Sequence, residues 1–168
     1  MFVILTHCQF EKNGYQNRFK MGDDWYTMRV NKGLIPISEK KYVEPYADWD
    51  KICRKLPQYR GVLLSFPGYI TPSLAQTNIN IIRHIARMLG INTRIELDYE
   101  TELTGTERLV DICQKYKATT YLSGMSGAHY MDKSLWDVAG IDVDFQGEDS
   151  MIKRPILEML QTKLGINN

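Results

Sequence analysis

The chain has 168 residues, 43% of them hydrophobic, and a net charge of +1; that is enough to bury one ordinary core and too nearly neutral for generic attraction to a nucleic-acid backbone. Its longest apolar runs, such as Gly61 to Phe66, fall far short of the roughly 20 residues a membrane span needs, so no transmembrane helix is expected. The three cysteines, Cys8, Cys53 and Cys113, are odd in number, widely spaced and without a C-x-x-C pair, which argues against a disulfide framework or a structural zinc site and implies reduced thiols in a cytoplasmic protein.

Met1 to Leu5 is apolar, lacks a basic leader and gives way at once to Thr6 and His7, so it reads as a first strand and not as a secretory signal. An amide-rich stretch from Gln9 to Arg18 follows. Trp25 to Val30, Asn31-Lys32-Gly33 and Leu34 to Ile37 read as strand, turn and strand. Asp48 to Leu56 reads as a short helix closed by Pro57. Gly61 to Phe66, broken only by Ser65 and stopped by Pro67-Gly68, reads as a strand buried on both faces. Thr71 as cap, Pro72 at the first helical position and Gly90 at the exit bound a helix over Pro72 to Leu89. Leu74, Ile81, Ile82, Ile85 and Leu89 share its apolar face, and Asn80, Arg83 and Arg87 lie opposite. Asn78 falls in the middle of the apolar face and is expected to be buried with its amide hydrogen-bonded.

Arg94 to Leu97 reads as a strand, and Thr104 with Glu107 as a capping box opening a helix to about Tyr116. Leu109, Ile112, Cys113 and Tyr116 line its inner face, which makes Cys113 core and leaves Cys8 as the candidate reactive thiol. Thr119 to Leu122 and Ile141 to Phe145 read as strands, and Ser150 to Leu164 as a terminal helix ended by Gly165. Strands separated by helices imply a single α/β domain, a mostly parallel sheet flanked by helices with an N-terminal β-hairpin. In it 61–66, 94–97, 119–122 and 141–145 share the sheet.

No G-x-x-x-x-G-K-[ST], strand-linked G-x-G-x-x-G, H-E-x-x-H or G-x-S-x-G occurs, and His7, His84 and His129 form no close-spaced metal pair, so no metal is expected and no cofactor is indicated. Two segments suit a ligand. In the first, Gln9, Asn13, Gln16 and Asn17 can orient hydroxyls or amides, while Lys12 and Arg18 can bind phosphate or carboxylate; the alternative is a surface loop whose amides satisfy its own backbone. Residues 1–60 hold 11 Lys/Arg against 7 Asp/Glu, a field that suits a local anion site. Phe10, Tyr15, Trp25 and Tyr26 can stack on bases between these cations or serve as core and hairpin pairs. The second segment, Ser123 to Tyr130, is a run of small residues directly after a strand, where open α/β sheets bind ligands. Here Ser123, Gly124 and Tyr130 are the candidates; the alternative is a tight turn into the next helix.

Val3-Ile4-Leu5 followed by Gln9-Phe10-x-Lys12-Asn13-x-x-Gln16-Asn17-Arg18, then Asn78-x-x-Ile81-Ile82, Leu89-Gly90-Ile91, Arg108-Leu109-x-x-Ile112-Cys113 and Tyr121-Leu122-Ser123-Gly124, is similar to the WbqC-like family in that order, over roughly 3–146. The resemblance implies an α/β fold and the setting of bacterial surface-polysaccharide gene clusters, where amino-acyl (glycine) transfer to a sugar has been suggested. Two departures stand out. Family members usually begin with an extra strand and helix carrying His-Gln-Pro, and their acidic pair before the glutamine is here Thr6-His7. A compact variant of this kind fits a virus or mobile element in which related chemistry modifies a nucleotide or DNA base.

These features point to a group transferase, moving an amino-acyl or related group onto a sugar, sugar-nucleotide or modified nucleotide. His7 or His129 would act as general base, and the Gln9–Arg18 and Ser123–Tyr130 segments would face one cleft. The alternative is a non-catalytic module that binds a nucleotide, nucleic acid or protein. The expected partner is a small phosphorylated or sugar-like ligand, with nucleic acid or a second copy of the chain left open and no membrane.

Overall fold

The computed structural model describes residues 1–147 and 154–166. They form a mixed α/β fold in which two of three strand ladders are parallel. Contacts gather into two compact units, one of Met1–Tyr99 with the segment from Arg154 onward, the other of Glu100–Lys153. Among the described residues no helix is long and apolar enough to cross a membrane.

In the first unit, β1 (Phe2–Ile4) pairs in parallel with β4 (Ile95–Leu97), in a register that sets Ile4 beside Leu97. The hairpin is formed by β2 (Arg18–Met21) and β3 (Asp24–Thr27). It turns at Gly22, whose φ of 58° suits a residue without a Cβ. This corrects the sequence reading, which put the turn at Asn31-Lys32-Gly33 and a strand at Leu34 to Ile37. That region is a loop leading to a 3-10 turn at Ile37–Glu39. The buried Lys40 ammonium holds the loop, donating to Asn31 O at 2.8 Å and Gly33 O at 2.6 Å.

Helix α1 (Pro45–Lys55) starts on a proline and ends at Leu56, before Pro57. Asp48 on its first turn accepts the Arg29 backbone N–H at 2.8 Å and the guanidinium Nε at 2.9 Å, tying the helix to the chain after the hairpin. Gly61 to Phe66 is not a strand. Helix α2 (Arg60–Leu63) and the turn after it bury Val62, Leu63 and Phe66 but leave Leu64 exposed. Burial at i, i+1 and i+4 is helical spacing, which a short apolar run does not distinguish from a strand by composition.

Helix α3 (Leu74–Leu89) begins two residues later than expected. Its cap is Ser73, which accepts Gln76 N, while Thr71 bonds Ser73 and Thr77 instead. The exit at Gly90 is left-handed, as expected. The described part of the terminal helix, α6 (Ile156–Leu164), ends on Gly165; the expected start at Ser150 lies outside the described residues. Phe10, Trp49, Leu63, Phe66, Leu74 and Leu160 lie in the core of this unit.

The second unit runs α4 (Gly105–Lys115), β5 (Thr120–Ser123), α5 (Lys133–Ala139) and β6 (Asp142–Phe145), with β5 and β6 paired in parallel. Its core joins Val110, Cys113, Trp136 and Ile141, and Tyr121 stacks on Trp136 at 4.8 Å. Thr104 occupies the α4 cap position, but its side chain makes no capping bond, so the expected capping box is not formed.

Candidate functional site

Because β1 and β4 run parallel, the residues that leave their carboxyl ends emerge together. Asp98 follows β4, and Thr6 and His7 follow β1, with Asp98 N donating to Ile4 O at 3.1 Å. Four hydrogen bonds converge on the Asp98 carboxylate. Its Oδ1 accepts Thr6 N at 2.7 Å, Thr6 Oγ1 at 2.8 Å and His7 Nδ1 at 3.1 Å, and its Oδ2 accepts His7 N at 3.1 Å. The Asp98 side chain is 0% exposed and that of His7 30% exposed. Burial pushes the carboxyl up, but the Thr6 and His7 hydrogen bonds outweigh it and hold Asp98 below the ordinary carboxylate range. At neutral pH it is therefore an acceptor only. The His7 proton then sits on Nδ1, and Nε2 is the basic nitrogen.

The chain beyond β1 is fixed by backbone bonds, Ser38 N to Thr6 O at 2.7 Å, Ile37 N to Cys8 O at 2.9 Å and Phe10 N to Ile35 O at 3.1 Å. His7 thus rides on a braced segment and is oriented by a buried carboxylate, an arrangement suited to proton transfer. Asp98 was not singled out by the sequence reading. The available signal was an acid immediately after a strand, where α/β sheets place their sites.

The Gln9–Arg18 segment is a built loop. Asn13 adopts φ 71°, and Arg18 donates Nε to Gly14 O at 3.0 Å and Nη2 to Asn13 O. Asn17 Nδ2 donates to Met28 O at 2.8 Å, and Asn78 Nδ2 donates to Gln16 O at 2.7 Å. Asn78 is half-buried, short of the full burial expected, and its amide is bonded as expected, to a neighbouring loop. Gln16, Asn17 and Arg18 border a cavity of about 210 Å³ whose other walls include Trp49, Phe66 and Ile81. Gln9 and Lys12 are exposed and outside that lining.

Ser123 to Tyr130 lies in the second unit. A 3-10 turn at Met125–His129 uses its own groups, with Gly127 N donating to Gly124 O at 2.9 Å and Tyr130 N to Gly127 O at 3.2 Å. Ser123 is buried and donates to Gly124 O at 3.0 Å, whereas Gly124, His129 and Tyr130 are exposed. Among the described residues no group of three or more His, Cys, Asp or Glu side chains is placed to hold a metal ion.

The WbqC-like protein family matches residues 1–154 of this chain. A relative from Mycobacterium tuberculosis, the uncharacterized protein Rv1507c, is 28% identical over 168 residues, a match that covers 87% of this chain and 73% of that protein. No solved structure matches.

Proposed function

We propose, from the premise that this chain belongs to the WbqC-like protein family, that it transfers an amino-acyl or related group to a sugar, sugar-nucleotide or modified nucleotide, with His7 as general base. The observation that supports this reading is the Asp98–His7 pair at the carboxyl ends of two parallel strands. In the proposed step His7 Nε2 takes the proton of an acceptor hydroxyl or amine as its oxygen or nitrogen attacks the acyl carbon of an activated donor. The leaving group departs with the electron pair of the bond that breaks, and Asp98 stabilises the imidazolium that forms. A group in this role contributes about 10²–10⁴ in rate. Gln9, Lys12, Asn13, Gln16, Asn17 and Arg18 are the proposed ligand contacts in the first unit. Ser123, Gly124, Tyr130 and His129 are a second set, tested separately.

A thermal-shift screen of nucleotides and nucleoside diphosphate sugars tests the reading first, since a ligand that binds only the folded state raises its stability. One phosphorylated class should stabilise the protein. Mixed with that compound and an activated glycyl donor, the protein should add the mass of one glycyl residue to it. A compound that stabilises but is never modified favours the non-catalytic binding module.

A further inference from the structure

The β2–β3 hairpin separates its aromatic residues into two sets. Phe19 and Tyr26 face each other across the ladder, stack at 5.4 Å with 18° between their planes, and pack on the core. Because neighbours along a strand point to opposite sides, Arg18, Lys20, Trp25 and Thr27 occupy the other face. There Trp25 is 40% exposed, and the Tyr15 ring, 72% exposed, lies 5.2 Å from it. Arg18 lies over Trp25, its Cζ 3.9 Å from the ring centre, and the Tyr15 ring is tilted 53° to the Trp25 plane. The guanidinium is held there by the Gly14 and Asn13 carbonyls.

Two large exposed rings with a half-buried, hydrogen-bonded guanidinium beside them are not explained by the core, which Phe10 and Tyr26 already serve. We infer that this outer hairpin face is a stacking site for a nucleobase with a phosphate beside it, Tyr15 and Trp25 taking the ring and Arg18 and Lys20 the charge. Every base has a flat face that an aromatic ring or a guanidinium covers without reading its sequence. Lys20 sits directly across the ladder from Trp25. Its ion pair with Asp23, at 3.8 Å between exposed groups, holds it weakly and leaves it available to a phosphate. A neutral sugar would use the rings but not the cations, and an aliphatic partner would use neither plane nor charge. The base belongs either to a free nucleotide or to a single strand, and the chemistry recognised is the same. The inference extends the transfer reading by naming the ring its acceptor carries, and because binding is read without turnover the two fail separately.

Of the three tryptophans, Trp49 and Trp136 are buried, and because Trp49 borders the neighbouring cavity, quenching of intrinsic fluorescence by a soluble ring is assigned to Trp25 by its loss in Trp25→Phe. The full chain is titrated with thymidine monophosphate, uridine diphosphate, an oligothymidylate, inorganic phosphate and glucose. The expected result is saturable quenching by the nucleotides or the oligonucleotide, with the tighter of the two identifying the source of the base. Fluorescence anisotropy of a dye-labelled form of the tighter probe should then show about a tenfold loss of affinity in Tyr15→Ala and recovery in Tyr15→Phe, the size expected when one stacked ring is removed. Tyr15 is exposed, and unchanged circular dichroism confirms that the fold is intact. Absence of saturable quenching, equal binding of inorganic phosphate, equal quenching by glucose, or unchanged affinity in Tyr15→Ala would each overturn the inference.

Discussion

Replacing Asp98 with asparagine keeps the shape of the side chain and removes its charge. The amide oxygen can occupy the Oδ1 position and keep accepting from Thr6 N, Thr6 Oγ1 and His7 Nδ1. The new NH₂ then faces the His7 backbone N–H, which loses its acceptor. Stranding one buried donor costs about 1–3 kcal/mol, and the three surviving bonds fall from charge-assisted to neutral strength, about half as strong. The combined loss is about 3 kcal/mol, and for a chain of this size each kcal/mol moves Tm by about 2–4 °C. Thermal unfolding followed by circular dichroism at neutral pH should therefore show Asp98→Asn melting about 6–12 °C below the wild type. The difference has a defined pH dependence. Asp98 lies below its ordinary value when folded, so its stabilisation is fully present above the unfolded carboxylate value near 3.9 and is lost as pH falls through the folded value. The two melting curves should converge in that acid range. A variant within about 2 °C of wild type at neutral pH would refute the reasoning.

The His84 imidazole, stacked on Tyr69 at 4.3 Å, is held below its ordinary pKa by burial and by the nearby Arg87 charge. Its contribution is therefore present above about pH 6.5, the unfolded value, and lost as pH falls below it; His84→Phe should flatten the decline of Tm between neutral and mildly acid pH. Asp48 ties both the backbone and the guanidinium of Arg29, whereas Glu44 touches only the exposed guanidinium end. Asp48→Ala should thus lower Tm clearly more than Glu44→Ala. A Cβ at Gly127 would stand 2.1 Å from Ser123 Oγ, so Gly127→Ala should destabilise by about 1–3 kcal/mol in a denaturant titration, and Ser123→Gly in the same chain should restore part of that loss.

Much of the fold was legible where local chemistry decides it. Gly90 at the exit of α3 and Pro57 behind α1 mark ends set by single residues, whereas the α3 cap is Ser73 and not the expected Thr71. The errors fall where distant groups decide. Asn31-Lys32-Gly33 carries a strong turn signature, yet the Lys40 ammonium, reaching back to the Asn31 and Gly33 carbonyls, makes it a loop. Val62 and Leu63 are fully buried, and nothing in the run of residues 61–66 reveals that Leu64 stays out. The site divides the same way. His7 was legible as a candidate base because imidazole is the side chain whose ordinary pKa lies nearest neutrality. Asp98, 92 residues from Thr6 in sequence, becomes its partner only through the parallel pairing of β1 with β4. The acidic pair that the resemblance leads one to expect beside His7 is replaced in sequence, and in space a carboxylate arrives from the other strand. Arg18 shows the converse: its charge was legible, but its attachment to Asn13, Gly14 and Trp25 was not.

The most direct test is the rate of glycyl addition to the stabilising compound, followed by mass spectrometry, in wild type and in His7→Ala. His7 is half-buried and bonded mainly to Asp98, so the variant should fold and still bind its ligand. Its rate is predicted to fall by about 10²–10⁴, and a rate within about threefold of wild type, too small for the loss of a general base, would contradict the assignment of His7 as that base.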